Sequence, residues 1–122
     1  MKVKFTNFPK EFKVLKKELN KKFNKIGKHG QYILGDELKN FEKDVEKFLK
    51  VKHVVGVGNW TEGAIMTFKA LGYKKNDEII TVSNSFIATC GAIAYSGLIP
   101  KLVDVSNDLN IDISLIEKKI TK

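Results

Sequence analysis

The 122-residue sequence has no arginine, one cysteine, one tryptophan and two prolines. Each shortage removes a class of explanation. Cys90 cannot close an intrachain disulfide, and its alanine-rich surroundings suit a small buried hydrophobe. The 22 cationic residues are all lysine and face 14 acidic ones, for a formal charge of +8. That excess could attract an acidic partner. Arginine, however, is the usual bidentate reader of phosphate and guanine. The lysines are also mixed with Glu and Asp through helical segments, as on a solvated face, so nucleic-acid binding is not expected. The opening "MKVKFTNFPKEF" lacks the apolar core of a secretory leader. No apolar run approaches the roughly 20 residues needed to span a bilayer. A cytoplasmic, reducing location with no membrane partner is therefore expected. His29 and His53 have no cysteine, histidine or acid at metal-ligand spacing, so no metal site is expected.

What is present is patterned. Phe12, Leu15, Leu19, Phe23 and Ile26 form one apolar stripe on a helix, with Pro9 suited to its first turn. Gly27 and Gly30 should break that pattern. "QYILG" then reads as a short extended piece. Asp36 can cap a second helix whose apolar face is Leu38, Phe41, Val45, Phe48 and Leu49. From here the period changes. "HVVGVG" (His53–Gly58) reads as a buried strand and Thr61–Leu71 as a helix stopped by Gly72. "EIITV" (Glu78–Val82) reads as a strand, and Phe86–Gly97 as a helix of small residues. "KLVDV" (Lys101–Val105) reads as a third strand, and Asp112 caps a last helix, Ile113–Ile120. Alternating strands and helices predict a parallel α/β sheet.

The stretch "GVGNWTEG" invites two motif readings and fails both. The third glycine of GxGxxG would fall at Thr61. In the GxxxxGK[ST] pattern, Ala64 stands where lysine is required. What survives is the start of a helix. Its first N–H groups have no intrahelical partners and lie at the positive end of the helix dipole. With the Thr61 hydroxyl they suit a phosphate monoester. The same residues also suit a plain cap made by Asn59 or Thr61. Phe86, just past the end of a strand, stands where ligands collect in open parallel sheets, and its ring could stack on a planar ligand. It equally suits a core position. Asp104, Asp108 and Asp112 read as turn and cap residues.

In order along the chain, "YILG", the strand–turn–Thr helix, "DEIITVSNSFIAT", the "GLIPKLVDV" segment and "NID" resemble the DegT-type sugar aminotransferases. These are enzymes of aspartate aminotransferase fold that use pyridoxal 5'-phosphate (PLP). The resemblance runs from about Val3 to Thr121. It implies an incomplete N-terminal part of a three-layer α/β/α large domain of fold type I, preceded by two helices. Residues 1–50 would be the helical segment and residues 51–122 the first part of the PLP-binding domain.

The resemblance also gives the sites identities. Thr61 would bind the PLP phosphate through its hydroxyl, helped by the amides of Trp60, Thr61 and Glu62. Phe86 would stack on the pyridine ring and face the same cavity. The donor would be glutamate, the acceptor a nucleotide-linked keto-sugar, and the assembly a homodimer with "QYILG" reaching towards the shared site. Two departures stand out. Trp60 occupies a position where family members commonly have glycine, and it is acceptable only with an ordinary negative φ. Family members are also much longer. The lysine that carries the cofactor and the acid that pairs with its ring nitrogen would lie beyond residue 122. None of the lysines present matches the Schiff-base motif, so this chain alone is expected to have no catalytic residue and to be inactive. The competing reading is a non-catalytic α/β binding or scaffolding module.

Overall fold

The computed structural model describes residues 5–121. The chain divides into two compact units, one ending at Gly56 and the other beginning at Val57. The first unit holds helices α1 (Phe8–His29) and α2 (Asp36–Leu49). Asn7 caps α1 by accepting the Lys10 amide at 3.3 Å, and Pro9 sits in the first turn as its fixed φ favours. Gly27 stays inside the helix, contrary to expectation. One interior glycine costs only about 1 kcal/mol, whereas the stop requires the left-handed backbone found at Gly30, φ 67°.

"QYILG" is bent rather than extended, with Leu34 at φ 50°. Gly35, not Asp36, takes the cap position of α2. A Cβ on Gly35 would lie 2.6 Å from the Gln31 carbonyl oxygen, so the turn needs a residue without one. Asp36 moves into the first turn, where its charge still meets the positive helix end. Glu37 holds α2 to α1 by accepting from Lys22 Nζ and Lys25 Nζ, each at 2.7 Å. These two bonds, Lys22 first, hold the Glu37 carboxyl at about 2, below its ordinary 4.5.

The expected strand at 53–58 does not form. A strand exists only through a neighbour's backbone, and no described residue supplies one. Instead the Val54 amide donates to Glu46 Oε1 at 3.3 Å and the Gly56 amide to Glu42 Oε1 at 2.8 Å.

The second unit contains α3 (Trp60–Ala70), β1 (Glu78–Val82), α4 (Ala88–Tyr95), β2 (Ile99–Val103) and α5 (Ile113–Ile116), which runs into a 3-10 turn at Glu117–Lys119. α3 ends one residue before the expected Leu71, and Gly72, at φ 78°, makes the turn. β1 and β2 pair in parallel, with Ile79 opposite Pro100 and Ile80 opposite Lys101. α4 is the crossover between them, as the alternating pattern predicts, and it packs on both strands and on α3.

β2 begins two residues earlier than expected because Pro100 does not break it. The Ile99 amide donates to Asp77 O at 2.9 Å, so the alternation of an extended chain turns the Pro100 nitrogen to the outer edge, where no donor is needed. The strand also ends earlier. The Asp104 carboxylate takes the Val105 amide at 2.8 Å, and Val105 bridges antiparallel to Ile111. The core of the described residues is Ala92, Ile93, Leu98 and Val103. Phe12, Phe23, Phe41, Phe48 and many other large apolar side chains remain exposed.

Two outcomes follow from this architecture. So small a core with open strand edges favours self-association. The 122-residue chain is expected to sediment as associated species or to melt without a sharp transition. A sharp melt as a soluble monomer would overturn this. The Glu37 contact should persist above about pH 4.5 and be lost as pH falls towards about 2, because its folded pKa lies below the unfolded one. The check is a carboxyl titration of Glu37 by NMR, in which an ordinary midpoint would refute the contact.

Candidate site at the start of α3

The sequence left open whether Asn59 or Thr61 caps α3. Asn59 does: its Oδ1 accepts the Glu62 amide at 2.9 Å and its carbonyl accepts the Gly63 amide at 3.1 Å. Trp60, Thr61 and Glu62 are the first three residues of the helix. The Glu62 and Gly63 amides are thus already engaged, while those of Trp60 and Thr61 have no hydrogen-bond acceptor among the described residues. The Thr61 hydroxyl, on a half-buried side chain, likewise makes no hydrogen bond there. Two backbone donors and one hydroxyl therefore gather at the positive end of an 11-residue helix.

This arrangement sharpens the expectation for each residue. The Trp60 backbone is helical and is not among the positive-φ residues, so the absence of glycine there strains nothing. Its indole is 59% exposed. The Glu62 amide already serves the Asn59 cap. The Glu62 carboxylate also bends back towards Gly58, with Oε2 2.9 Å from where a Cβ on Gly58 would stand. A negative charge so placed is favoured by the helix end but repels a second anion.

Phe86 lies just before α4 rather than inside it, and its carbonyl accepts the Thr89 amide at 3.0 Å. Phe86 is 78% exposed among the described residues. The packing of α3 on α4 places the two helices side by side. Phe86 and Thr61 share no hydrogen bond, and neither lines the concavity of about 1020 Å³ along α1, whose walls include Lys17, Lys21, Lys25 and Lys28. No group of three or more metal-ligating side chains occurs among the described residues. No described helix is long and apolar enough to cross a membrane.

Comparison with known proteins places these features in a family. The DegT/DnrJ/EryC1/StrS aminotransferase family profile matches residues 13–122. A pleiotropic regulatory protein of Geobacillus stearothermophilus is 31% identical over 100% of this chain and 33% of its own length. The dTDP-3-amino-3,6-dideoxy-alpha-D-galactopyranose transaminase of Aneurinibacillus thermoaerophilus is 36% identical over 86% of this chain and 29% of its own. Among solved structures, S. venezuelae DesV in complex with a ketimine intermediate superposes with a TM-score of 0.93 at 29% identity, covering 98% of this chain and 32% of that one. E. coli GDP-4-keto-6-deoxy-D-mannose-3-dehydratase with bound hydrated PLP gives 0.76 at 27% identity, over 84% and 28%. The chain thus spans about a third of the length of the relatives it matches. Its helices and small parallel sheet are part of the α/β fold of these PLP enzymes. By a match that covers nearly all of its residues, the chain belongs to the DegT/DnrJ/EryC1/StrS aminotransferase family.

Proposed function

We propose that this chain acts as the N-terminal part of a PLP-dependent aminotransferase that moves an amino group from glutamate to a nucleotide-linked keto-sugar. Residues 1–50 are its helical segment and residues 51–122 begin its cofactor-binding domain. The carrying observation is the division of labour at α3. Asn59 satisfies the Glu62 and Gly63 amides, and this leaves the Trp60 and Thr61 amides and the Thr61 hydroxyl for an external anion. That donor set fits a phosphate monoester. PLP, when bound, supplies the electron sink that amino-group transfer requires.

The part played by this chain is binding and orientation. Thr61 and the two open amides hold the phosphate end. The exposed ring of Phe86 offers a flat apolar face for the pyridine. Glu62 assists through the Asn59 cap rather than as a direct ligand. No side chain here is assigned the proton transfer; that task falls to a lysine outside these residues, and the chain alone is inactive. The working assembly is a cytoplasmic homodimer. The family membership and the dTDP-sugar transaminase among the relatives support the substrate class. A non-catalytic α/β binding module is the second reading, favoured by the regulatory name of the Geobacillus relative. Glutamate-dependent transamination by a protein containing this chain would exclude it.

In a full-length protein containing this chain, Thr61→Val should weaken PLP binding by roughly tenfold to a hundredfold, the loss of a charge-assisted hydrogen bond of about 1.5–3 kcal/mol. The chain's one tryptophan, Trp60, stands beside the site and reports binding by fluorescence quenching. Unchanged affinity would remove Thr61 from the phosphate site. Phe86→Ala should loosen PLP by about 1–3 kcal/mol, the worth of an aromatic stack. Coordinates of the complex with Phe86 turned away from the ring would refute its role.

A further inference from the structure

We propose that Ser85 and Thr89 are positioning residues for Phe86. The hydrogen bond between their hydroxyls fixes the direction in which the aromatic ring leaves the backbone. The proposal rests on the stacking reading of Phe86.

An exposed ring has little packing to orient it. Phe86 is such a ring, so its direction depends on the backbone on either side of its Cα. Both sides lead to Thr89. The Phe86 carbonyl accepts the Thr89 amide at 3.0 Å. The hydroxyl of Ser85, the residue before Phe86, lies 2.9 Å from the Thr89 hydroxyl. The Ser85 amide in turn donates to the Ser83 carbonyl at 2.9 Å, which sets the path of the chain out of β1. Phe86 is thus held between a turn and one residue of α4.

Thr89 is a firm anchor. It is half-buried, and it precedes Ala92 and Ile93 by three and four residues, which puts it one turn earlier on the same side of the helix. Those two are the most deeply buried of the described residues. Two heavy atoms on the Thr89 Cβ restrict its χ1, so the hydroxyl follows the helix rather than rotating freely. A link therefore runs from the core, through Thr89 and the exposed Ser85, to the ring.

The bond is not a helix cap. A capping serine accepts from a backbone amide of the first turn. No side chain caps α4, and the Ser85 hydroxyl has no partner but Thr89 among the described residues. Hydroxyls in helices often turn back to a carbonyl of the preceding turn. Thr67 does so towards Gly63 and Ser96 towards Ala92, each at 2.8 Å. Thr89 does not. Two hydroxyls that could each serve the backbone serve each other instead, across the residue whose ring is offered to the cofactor.

The test uses the full-length protein that contains this chain, stripped of cofactor and titrated with PLP. Ser85→Ala and Thr89→Val each remove the bond and should weaken PLP by about two- to tenfold, on the scale of one neutral hydrogen bond. The double variant should lose no more than either single one, since both act on the same bond. Thr89→Ser keeps the hydroxyl and should stay near the wild-type affinity. The deciding variant combines Ser85→Ala with Phe86→Ala. Without the ring there is nothing to orient, so Ser85→Ala should add no further loss. Ser85 is exposed, so this comparison decides the matter even where Thr89→Val fails to fold. A full further loss in the Phe86→Ala background overturns the positioning role, because Ser85 then acts without the ring. Unchanged affinity in Ser85→Ala, with Phe86→Ala weakened, also overturns it and leaves the stacking reading standing. Unchanged affinity in Phe86→Ala overturns the stacking reading, and the positioning role with it.

Discussion

The second unit depends on one piece of packing: α4 laid across the parallel pair β1–β2. Ala92 and Ile93 of the helix, Leu98 after it and Val103 of β2 are the side chains removed from water. Ile93 is 1% exposed and is the largest of the fully buried ones. The crossover forces this arrangement, since parallel strands cannot be joined by a tight turn. It also limits it. Two strands offer one helix a narrow floor, and among the described residues each strand has an outer edge with no strand paired to it. All five residues of β1 are half-buried, the pattern of a strand whose faces are covered although one edge is not.

That limit explains the division between what was legible in the sequence and what was not. α1, α2 and β1 were legible because each declares itself by local pattern: an apolar stripe at helical spacing, or a β-branched run between polar turns. The stop at Gly72 and the cap at Asp112 were legible because backbone chemistry leaves few choices there. The two strand misreadings share a cause. "HVVGVG" has the composition of a buried strand, yet a strand is a relation between two segments, and composition describes only one. The displaced β2 has the same origin. Pro100 looks like a boundary until the register shows that its nitrogen faces away from β1.

At the start of α3 some of the local geometry was legible in the sequence and some was not. A hydroxyl at a helix start could be read directly, and so could the aromatic after β1. Which residue makes the cap could not, because Asn59 and Thr61 both suit that task and only the backbone path decides between them. Once Asn59 takes it, the Glu62 amide is engaged by the cap and its carboxylate folds towards Gly58. The signal was present in the spacing: Asn59 followed three residues later by Glu62 is the outline of a capping box.

The carboxylates of α2 follow a related logic. A segment of strand composition without a strand neighbour must still satisfy its amides, and water or side chains are the available acceptors. Glu42 and Glu46 meet that need with the repeat of a helix set against the repeat of an extended chain. In sequence they look like solvated charges on the polar side of an amphipathic helix, indistinguishable from Glu37, which does bind lysines. Gly56 is what separates the cases. It has an ordinary backbone rather than a left-handed one, so no turn requires a glycine there. Its lack of a side chain is explained by Leu38 pressing against the position a Cβ would fill. Close approach to α2, rather than backbone freedom, accounts for the glycine, and the same approach brings its amide within reach of Glu42.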